Sequence, residues 1–376
     1  MRVLHVMECT IGGTRRHLSD LVAGELAAGH EVGVVAAVVR DAGMAGDLER
    51  LKAAGARIWR LDMQRAIRPG TDWKHYRVLR GILREYRPDI VHSHSSKAGA
   101  LARRASLAEG IGKRIHTPHT MAFLFSSLFS PRKRALFRWV EQRLARHTDR
   151  IIAVSGDEGE TLRTSGVLDP ALVRVVPNGI DPAPFQTAQP LDLAEFGFDP
   201  SRPTLAVVGL IYAAKGQDLA IEALAGLARR DVQLLLVGPG DTAPYEQLAR
   251  ERGVRERVCF TGARNDVPAI LASVTALLLP SRWEGMPYVV LEAMAAGKPV
   301  LATPVDGARA AVLDGETGFL ADAIDAPAVQ RTIERLLALD EAGRAALGAR
   351  ASAEMQRHHS LTAMVQGTLD VYAEVL

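Results

Sequence analysis

The sequence predicts an α/β protein made of two doubly wound parallel-sheet domains, and three observations carry that expectation. Short β-branched runs alternate with longer Ala/Leu/Arg segments at helical spacing, the pattern of right-handed βαβ units. The alternation stops at a turn-rich stretch, Pro177-Asn178-Gly179-Ile180-Asp181-Pro182-Ala183-Pro184, and restarts after Pro203. A chain of 376 residues is also longer than one ordinary core fills.

Taken in order, strands are expected at 3–7, 31–39, 57–61, 90–94, 114–117, 151–154 and 174–177, with helices at 17–28, 44–54, 73–85 and 132–146. After the break, strands follow at 204–210, 233–237, 257–260, 276–279 and 300–302. The last stretch, 361–376, spaces Met364, Val365, Leu369, Val371, Tyr372 and Val375 as one helical face that needs a partner surface. The domains are therefore set at 1–185 and 186–360, with the helix 361–376 returning to the first. Two such sheets facing each other line a central cleft with the carboxyl ends of their strands.

Composition narrows the function classes. Apolar residues make up 48 % and charged residues 24 % of the chain, so a packed fold is expected rather than disorder. A formal charge of +3 is too small to argue for nucleic acid. Cys9 and Cys259 stand alone; two cysteines supply neither a disulfide framework nor a cysteine-rich metal site, which fits a reducing cytoplasm. Met1-Arg2-Val3 runs directly into a strand pattern, so no secretory leader is expected. The longest apolar runs, 32–39 and 205–214, fall far short of a bilayer span. The expected location is the cytoplasm, at most at the inner face of the membrane.

The chemistry concentrates at 280–299, P-S-R-W-E-G-M-P-Y-V-V-L-E-A-M-A-A-G-K-P. A buried strand at 276–279 leads into a tight Gly285-Met286-Pro287 turn, and Pro287 opens a helix that Gly297 and Pro299 end. Glu284 and Glu292 flank the turn as hydroxyl acceptors, while the amides at the helix start are donors. A nucleotide sugar offers partners for both.

Two further strand-to-turn junctions favour anions. The first strand ends before Gly12-Gly13, where paired glycines admit a close backbone approach at a helix start. The pair lacks the G-x-G-x-x-G spacing, and no G-x-x-x-x-G-K-[ST] loop occurs, which disfavours hydride transfer and P-loop chemistry. In the second domain Val208-Gly209-Leu210 leads to Lys215-Gly216, placing an ammonium near a helix start. There is no Asp-x-Asp pair, so metal independence is the expectation and a leaving diphosphate falls to Lys215 and backbone amides.

Histidines cluster at His92, His94, His116 and His119, without the H-E-x-x-H or cysteine partners that mark a zinc site. His119, just past a strand end, is the one expected at the cleft. Between 131 and 150 seven basic residues stand against two acidic ones. The apolar Met121, Phe123, Leu124, Phe125, Leu128 and Phe129 precede them, a combination that fits anionic lipid. Leu136, Val140 and Leu144 are expected to dock that helix on the sheet.

In these motifs the chain resembles the family-4 retaining glycosyltransferases of the GT-B fold. The shared motifs are I-G-G-T-x-x-H at 11–17, V-H-S-H-S-S-K-A-G at 91–99, H-T-P-H at 116–119, A-V-S at 153–155, P-N-G-I-D at 177–181, the Glu284/Glu292 pair and D-G-E-T-G-F-L at 314–320. The resemblance implies two Rossmann-like domains, the first for the acceptor and the second for the nucleotide-sugar donor. It implies that Glu284 binds donor-sugar hydroxyls beside Gly285, Met286 and Pro287, that Glu292 holds the ribose, and that Gly12, Gly13, Gly209 and Lys215 cradle the diphosphate. His119 would sit near the reacting sugar, with His94 and Lys97 toward the acceptor. The H-S-S-K-A-G form looks like members that build bacterial surface glycans on polyprenyl-diphosphate acceptors. No cofactor is implied beyond a UDP- or GDP-sugar substrate. One departure stands out. Leu210 occupies the place of an arginine usual in the family, removing a bidentate phosphate grip for which Arg15 or Arg16 is a candidate substitute. The competing readings are a sugar-nucleotide 2-epimerase of the same fold and a non-catalytic sugar-nucleotide-binding protein.

Overall fold

The computed structural model describes residues 1–10, 12–39, 41, 43–124 and 129–376. The chain divides into two compact units, Met1–Asn178 with Leu361–Leu376, and Gly179–Ser360. The division lies at Asn178/Gly179, where the sequence reading set it at 185.

The first unit runs β1 (Arg2–Met7), α1 (Gly12–Ala27), β2 (Glu31–Ala36), α2 (Gly43–Ala53), β3 (Arg57–Arg60), α3 (Pro69–Tyr86) and β4 (Ile90–His94). It continues with α4 (Ser96–Glu109), β5 (Lys113–Thr117), α5 (Pro131–Ala145), β6 (Arg150–Ala153), α6 (Gly156–Thr164) and β7 (Val173–Val175). Its seven strands are all parallel, in the order β3-β2-β1-β4-β5-β6-β7. The order reverses between β1 and β4, the switch point where open α/β sheets place ligands.

The second unit runs α7 (Ala183–Gln186), β8 (Thr204–Val208), α8 (Gln217–Gly226), β9 (Gln233–Val237), α9 (Ala243–Glu251), β10 (Val258–Gly262) and α10 (Val267–Ser273). Then come β11 (Ala276–Leu279), α11 (Tyr288–Ala295), β12 (Val300–Ala302), α12 (Ala308–Ala311), β13 (Gly318–Leu320), α13 (Ala326–Leu337) and α14 (Glu341–His358). The sheet order is β10-β9-β8-β11-β12-β13, again all parallel, with its switch point between β8 and β11. One face packs Ile221, Leu224, Ile333 and Leu336 from α8 and α13 against Leu205, Leu234 and Leu278.

The terminal helix, α15 (Leu361–Ala373), belongs to the first unit. Met364, Val365, Val371 and Tyr372 fill a core with Val3, Leu21, Ile90, Ile115 and Ile152. Gly24 allows α1 to approach, since a Cβ there would lie 2.4 Å from Cγ2 of Val365. Glu374 then ties the end of the chain to Arg150 and Arg174 at 3.1 and 2.9 Å.

Several expectations needed correction. The strand expected to reach residue 39 ends at Ala36, and α1 starts at Gly12 rather than at residue 17. The strand β13 was missed because three residues show no period, and α4 because its Ala/Ser composition gives a weak stripe. The docking face of α5 was misread. Leu136 is 47 % exposed, and the buried residues of α5 are Glu141 and Ala145. Arg103 of α4 grips both oxygens of Glu141 at 2.7 and 2.9 Å, so a buried ion pair anchors this helix. The Arg103 charge outweighs the burial cost and holds the Glu141 carboxyl below its ordinary range. Phe125 and Leu128 lie outside the described residues.

Candidate active site

At the carboxyl ends of β8 and β11 two turns are fastened together. Lys215 places Nζ 2.6 Å from Oε1 of Glu284, and the same oxygen accepts from the hydroxyl of Ser281 at 2.7 Å. The hydroxyl of Thr303, from the turn after β12, donates to the carbonyl of Ser281 at 2.5 Å. Arg282 bonds its backbone N–H to the carbonyl of Ala214 at 2.7 Å and pairs its guanidinium with Asp218 at 2.6 and 2.9 Å. A carboxylate and an ammonium are thus held at the switch point, each with oriented neighbours.

Glycines make the close approaches possible. Gly209 has φ +147°, and a Cβ there would lie 3.3 Å from Cε of Lys215. Gly216 has φ +68°, and a Cβ would lie 1.9 Å from the carbonyl oxygen of Pro280. Gly285, Met286 and Pro287 form the turn into α11, with Pro287 as its N-cap and Met286 buried. Glu292 is half-buried on α11. Leu210 is 41 % exposed, and its carbonyl accepts from Nε2 of Gln217 at 3.0 Å. Arg15 is not a spare cation to replace the missing arginine, because Asp47 and Asp41 take its guanidinium at 2.5 and 3.0 Å.

In the first unit the switch point is lined by imidazoles. Gly12 and Gly13 open α1 after β1, and Gly12 has φ +55°, a conformation that glycine adopts without strain. His119 follows β5 with φ +50°, and Thr120 has φ +81°. Two consecutive non-glycine residues in the left-handed region need external support. Glu158, on the first turn of α6, supplies it by accepting from the N–H of Thr120 and of Val154, both at 2.7 Å.

His119 Nε2 lies 3.4 Å from Nδ1 of His94, and His94 Nε2 lies 3.0 Å from Nδ1 of His5. His94 is therefore not an acceptor-facing residue as expected. It is wholly buried, and both its ring nitrogens are engaged inside the protein. Lys97 is likewise committed, to Asp72 at 2.8 Å and to the carbonyl of Ala66. Burial drives His92, His94 and His119 well below the ordinary imidazole value, and neighbouring imidazoles push the same way. Ring nitrogens of His17, His94 and His119, and separately those of His5, His92 and His94, lie within 4.8 Å of one another. That spacing suits a metal ion, but hydrogen bonds already link His5, His94 and His119 in series.

Sequence reasoning missed His5, Glu25, Glu158 and Ser281. Glu25 was detectable, since it follows Leu18, Leu21 and Val22 at the next core position of α1. His5, inside an otherwise apolar strand, carried a similar signal.

Comparison with known proteins identifies the family and the fold. Residues 12–179 match the family described as glycosyl transferase 4-like domain, and residues 202–339 match glycosyl transferases group 1. The chain is 30 % identical over 263 residues to the Escherichia coli UDP-Gal:alpha-D-GlcNAc-diphosphoundecaprenol alpha-1,3-galactosyltransferase, covering 68 % of this chain and 67 % of that protein. It is 32 % identical over 320 residues to D-inositol 3-phosphate glycosyltransferase of Salinispora tropica, covering 77 % and 64 %. Among such curated relatives the chain spans between 59 % and 67 % of their length. The solved structure of Anabaena HepE with UDP-glucose superposes with a TM-score of 0.84 at 22 % identity, covering all of both chains. Sucrose-phosphate synthase from Thermosynechococcus elongatus does so at 0.83 and 22 %, covering 100 % of this chain and 98 % of that one. These structures share the two-sheet architecture of the GT-B fold. With both units matched in order, the chain belongs to the group 1, family-4-like glycosyltransferases.

Proposed function

We propose that the protein is a retaining, metal-independent glycosyltransferase that moves a sugar from a UDP- or GDP-sugar to a saccharide or polyprenyl-diphosphate-linked acceptor in surface-glycan assembly. The observation that carries this reading is the Lys215–Glu284 pair at the β8/β11 switch point. The second unit takes the donor. Lys215 has three N–H donors, so a diphosphate oxygen is held while Glu284 stays within reach. Glu284 then accepts from sugar hydroxyls, Glu292 from the ribose, and the amides of Gly285 and Met286 serve the same ligand. Gly12 and Gly13 offer the N-terminal amides of α1 to phosphate.

The reaction forms a bond between the anomeric carbon and the acceptor oxygen as the bond to the leaving phosphate oxygen breaks. On the same face, that phosphate oxygen takes the acceptor's proton. Lys215 stabilises the charge growing on the diphosphate, and His119, neutral in its packed site, meets a hydroxyl of the reacting sugar. The glutamates hold substrate, unlike the acid and nucleophile of retaining hydrolases. The acceptor class draws on the relative named for a diphosphoundecaprenol substrate, and the donor class on the UDP-glucose complex.

Contact with an anionic membrane face belongs to the same proposal. Its support is α5, where Leu136 and Trp139 are exposed and Arg143 stacks over Trp139 at 4.9 Å. Among the described residues no helix is long and apolar enough to cross a membrane.

The test is a panel of UDP- and GDP-sugars, with polyprenyl-diphosphate saccharides as acceptors, assayed with and without EDTA and with the product's anomeric configuration read by NMR. Transfer with retention in EDTA is expected. Inversion, strict metal dependence, or an epimer formed from donor alone would each overturn the corresponding part.

A further inference from the structure

A carboxylate lies buried on the far side of the imidazole cluster from His119. The cluster begins at Glu25 of α1, wholly buried, whose two oxygens meet two partners. Oε2 lies 2.8 Å from Nε2 of His5, and Oε1 accepts from the hydroxyl of Tyr372 at 3.0 Å. From His5 the line runs through His94 to His119 over the 3.0 and 3.4 Å contacts described above. Because β1 pairs with β4 in the register His5 to His92 and Met7 to His94, the rings sit on one sheet face beside α1 and α15.

The polarity of such a line follows from its end. A carboxylate only accepts, so His5 must carry its proton on Nε2. With one ring proton on His5, its Nδ1 lone pair accepts from Nε2–H of His94. His94 in turn accepts on Nδ1 from Nε2–H of His119. The last ring is left with its lone pair on Nδ1. A side branch obeys the same rule: Tyr372 donates to Glu25 and so accepts from Nδ1 of His92 at 2.6 Å, leaving Nε2 to accept from the hydroxyl of Thr117 at 2.8 Å. With one proton on each ring, this single assignment satisfies every contact.

We infer that Glu25 and His5 are positioning residues that fix the tautomer of His119 through His94, so that His119 presents Nδ1 as a hydrogen-bond acceptor to a sugar hydroxyl. The role of that nitrogen toward sugar rests on the transferase reading above; the direction of the line does not. A hydrogen-bond donor in place of Oε2 of Glu25 would reverse the line from His5 to His119 and turn His119 Nδ1 into a donor, while the Tyr372 branch keeps its direction. A ring that donates where a hydroxyl must donate loses the contact, so the accepting character of a distant carboxylate sets the chemistry at the sugar.

The experiment is long-range ¹H–¹⁵N correlation of the histidine rings in the ligand-free protein, in wild type, Glu25→Gln and Tyr372→Phe. Wild type is expected to show His5, His94 and His119 all protonated on Nε2. A glutamine oxygen that keeps the Tyr372 bond must turn its NH₂ toward His5, so Glu25→Gln is expected to shift all three rings to the Nδ1–H form. Its kcat should fall about tenfold or more, as wrong-tautomer variants do, with KM changing less. Tyr372→Phe should lower stability and leave the three tautomers unchanged. An Nδ1-protonated His119 in wild type, or unchanged rings in Glu25→Gln, overturns the inference. If Glu25→Gln does not fold, the wild-type spectrum still decides. Tautomers as assigned in a protein that transfers no sugar would sink the transferase reading and leave the line standing.

Discussion

The ammonium of Lys215 and the carboxylate of Glu284, sixty-nine residues apart, meet at 2.6 Å across the β8/β11 switch point. Both side chains are mostly shielded, at 18 % and 12 % exposure, so neither is an idle surface charge. The pair has two consequences. Each group is oriented before any ligand arrives, and each depends on the other for its position.

Replacing either by alanine is expected to cut transfer about a hundredfold, the scale of losing a transition-state charge contact. The double variant should lose far less than the product of the two, because the groups act as a unit. Steady-state kinetics with a saturating donor checks this. Near-wild-type turnover in either single variant would remove both residues from the site.

Glu158→Ala should release the left-handed turn at His119 and Thr120. Two backbone N–H groups lose their acceptor, each costing about 1–3 kcal/mol when left unsatisfied in the interior. The expected result is a lower Tm together with a drop in kcat of roughly tenfold, as expected when a reacting group is misplaced. A fall in Tm with unchanged kcat would confine Glu158 to a structural role.

Stability should decline on acidification between pH 6.5 and 4. Burial depresses His17 to about 4 and His116 to about 3, against an ordinary value of 6.5; the Asn178 contact partly offsets it for His17. In that window the unfolded chain binds protons that the folded chain does not, so each histidine withdraws up to about 1.4 kcal/mol per pH unit. The contribution is fully present above pH 6.5 and lost progressively below it. Urea midpoints at pH 7, 6, 5 and 4.5 would show the trend; a flat profile would contradict it.

Removing Glu141 should destabilise the first unit strongly. Arg103, 1 % exposed, would keep its charge without a carboxylate, a loss of about 3–5 kcal/mol by precedent for buried pairs. The double replacement Arg103→Met with Glu141→Leu should recover most of it. Chemical denaturation of the three variants separates a broken pair from a lost volume.

In the second unit, the residues brought together at the candidate site were legible in the sequence. Glu284, Gly209 and Lys215 all lie within a few residues of apolar strands, and a strand-to-turn junction marks the carboxyl edge of a sheet whatever its neighbours are. The first unit was harder to read. Its site depends on Glu25 reaching His5 from twenty residues away and Tyr372 reaching Glu25 from 347 residues away. No local pattern carries such a pairing. Lys97 and Arg15 looked like available cations for the same reason, and tertiary packing had already spent them on Asp72 and on Asp41 with Asp47.

By itself the sequence determined that two parallel sheets form and which strand ends bear charge, because side-chain periodicity is a local property with periods of 2 and 3.6 residues. Only the tertiary structure decided which charges are paired and which imidazoles are buried. Those outcomes depend on hydrogen bonds between segments far apart in the chain, and a hydrogen bond is settled by the geometry of both partners at once.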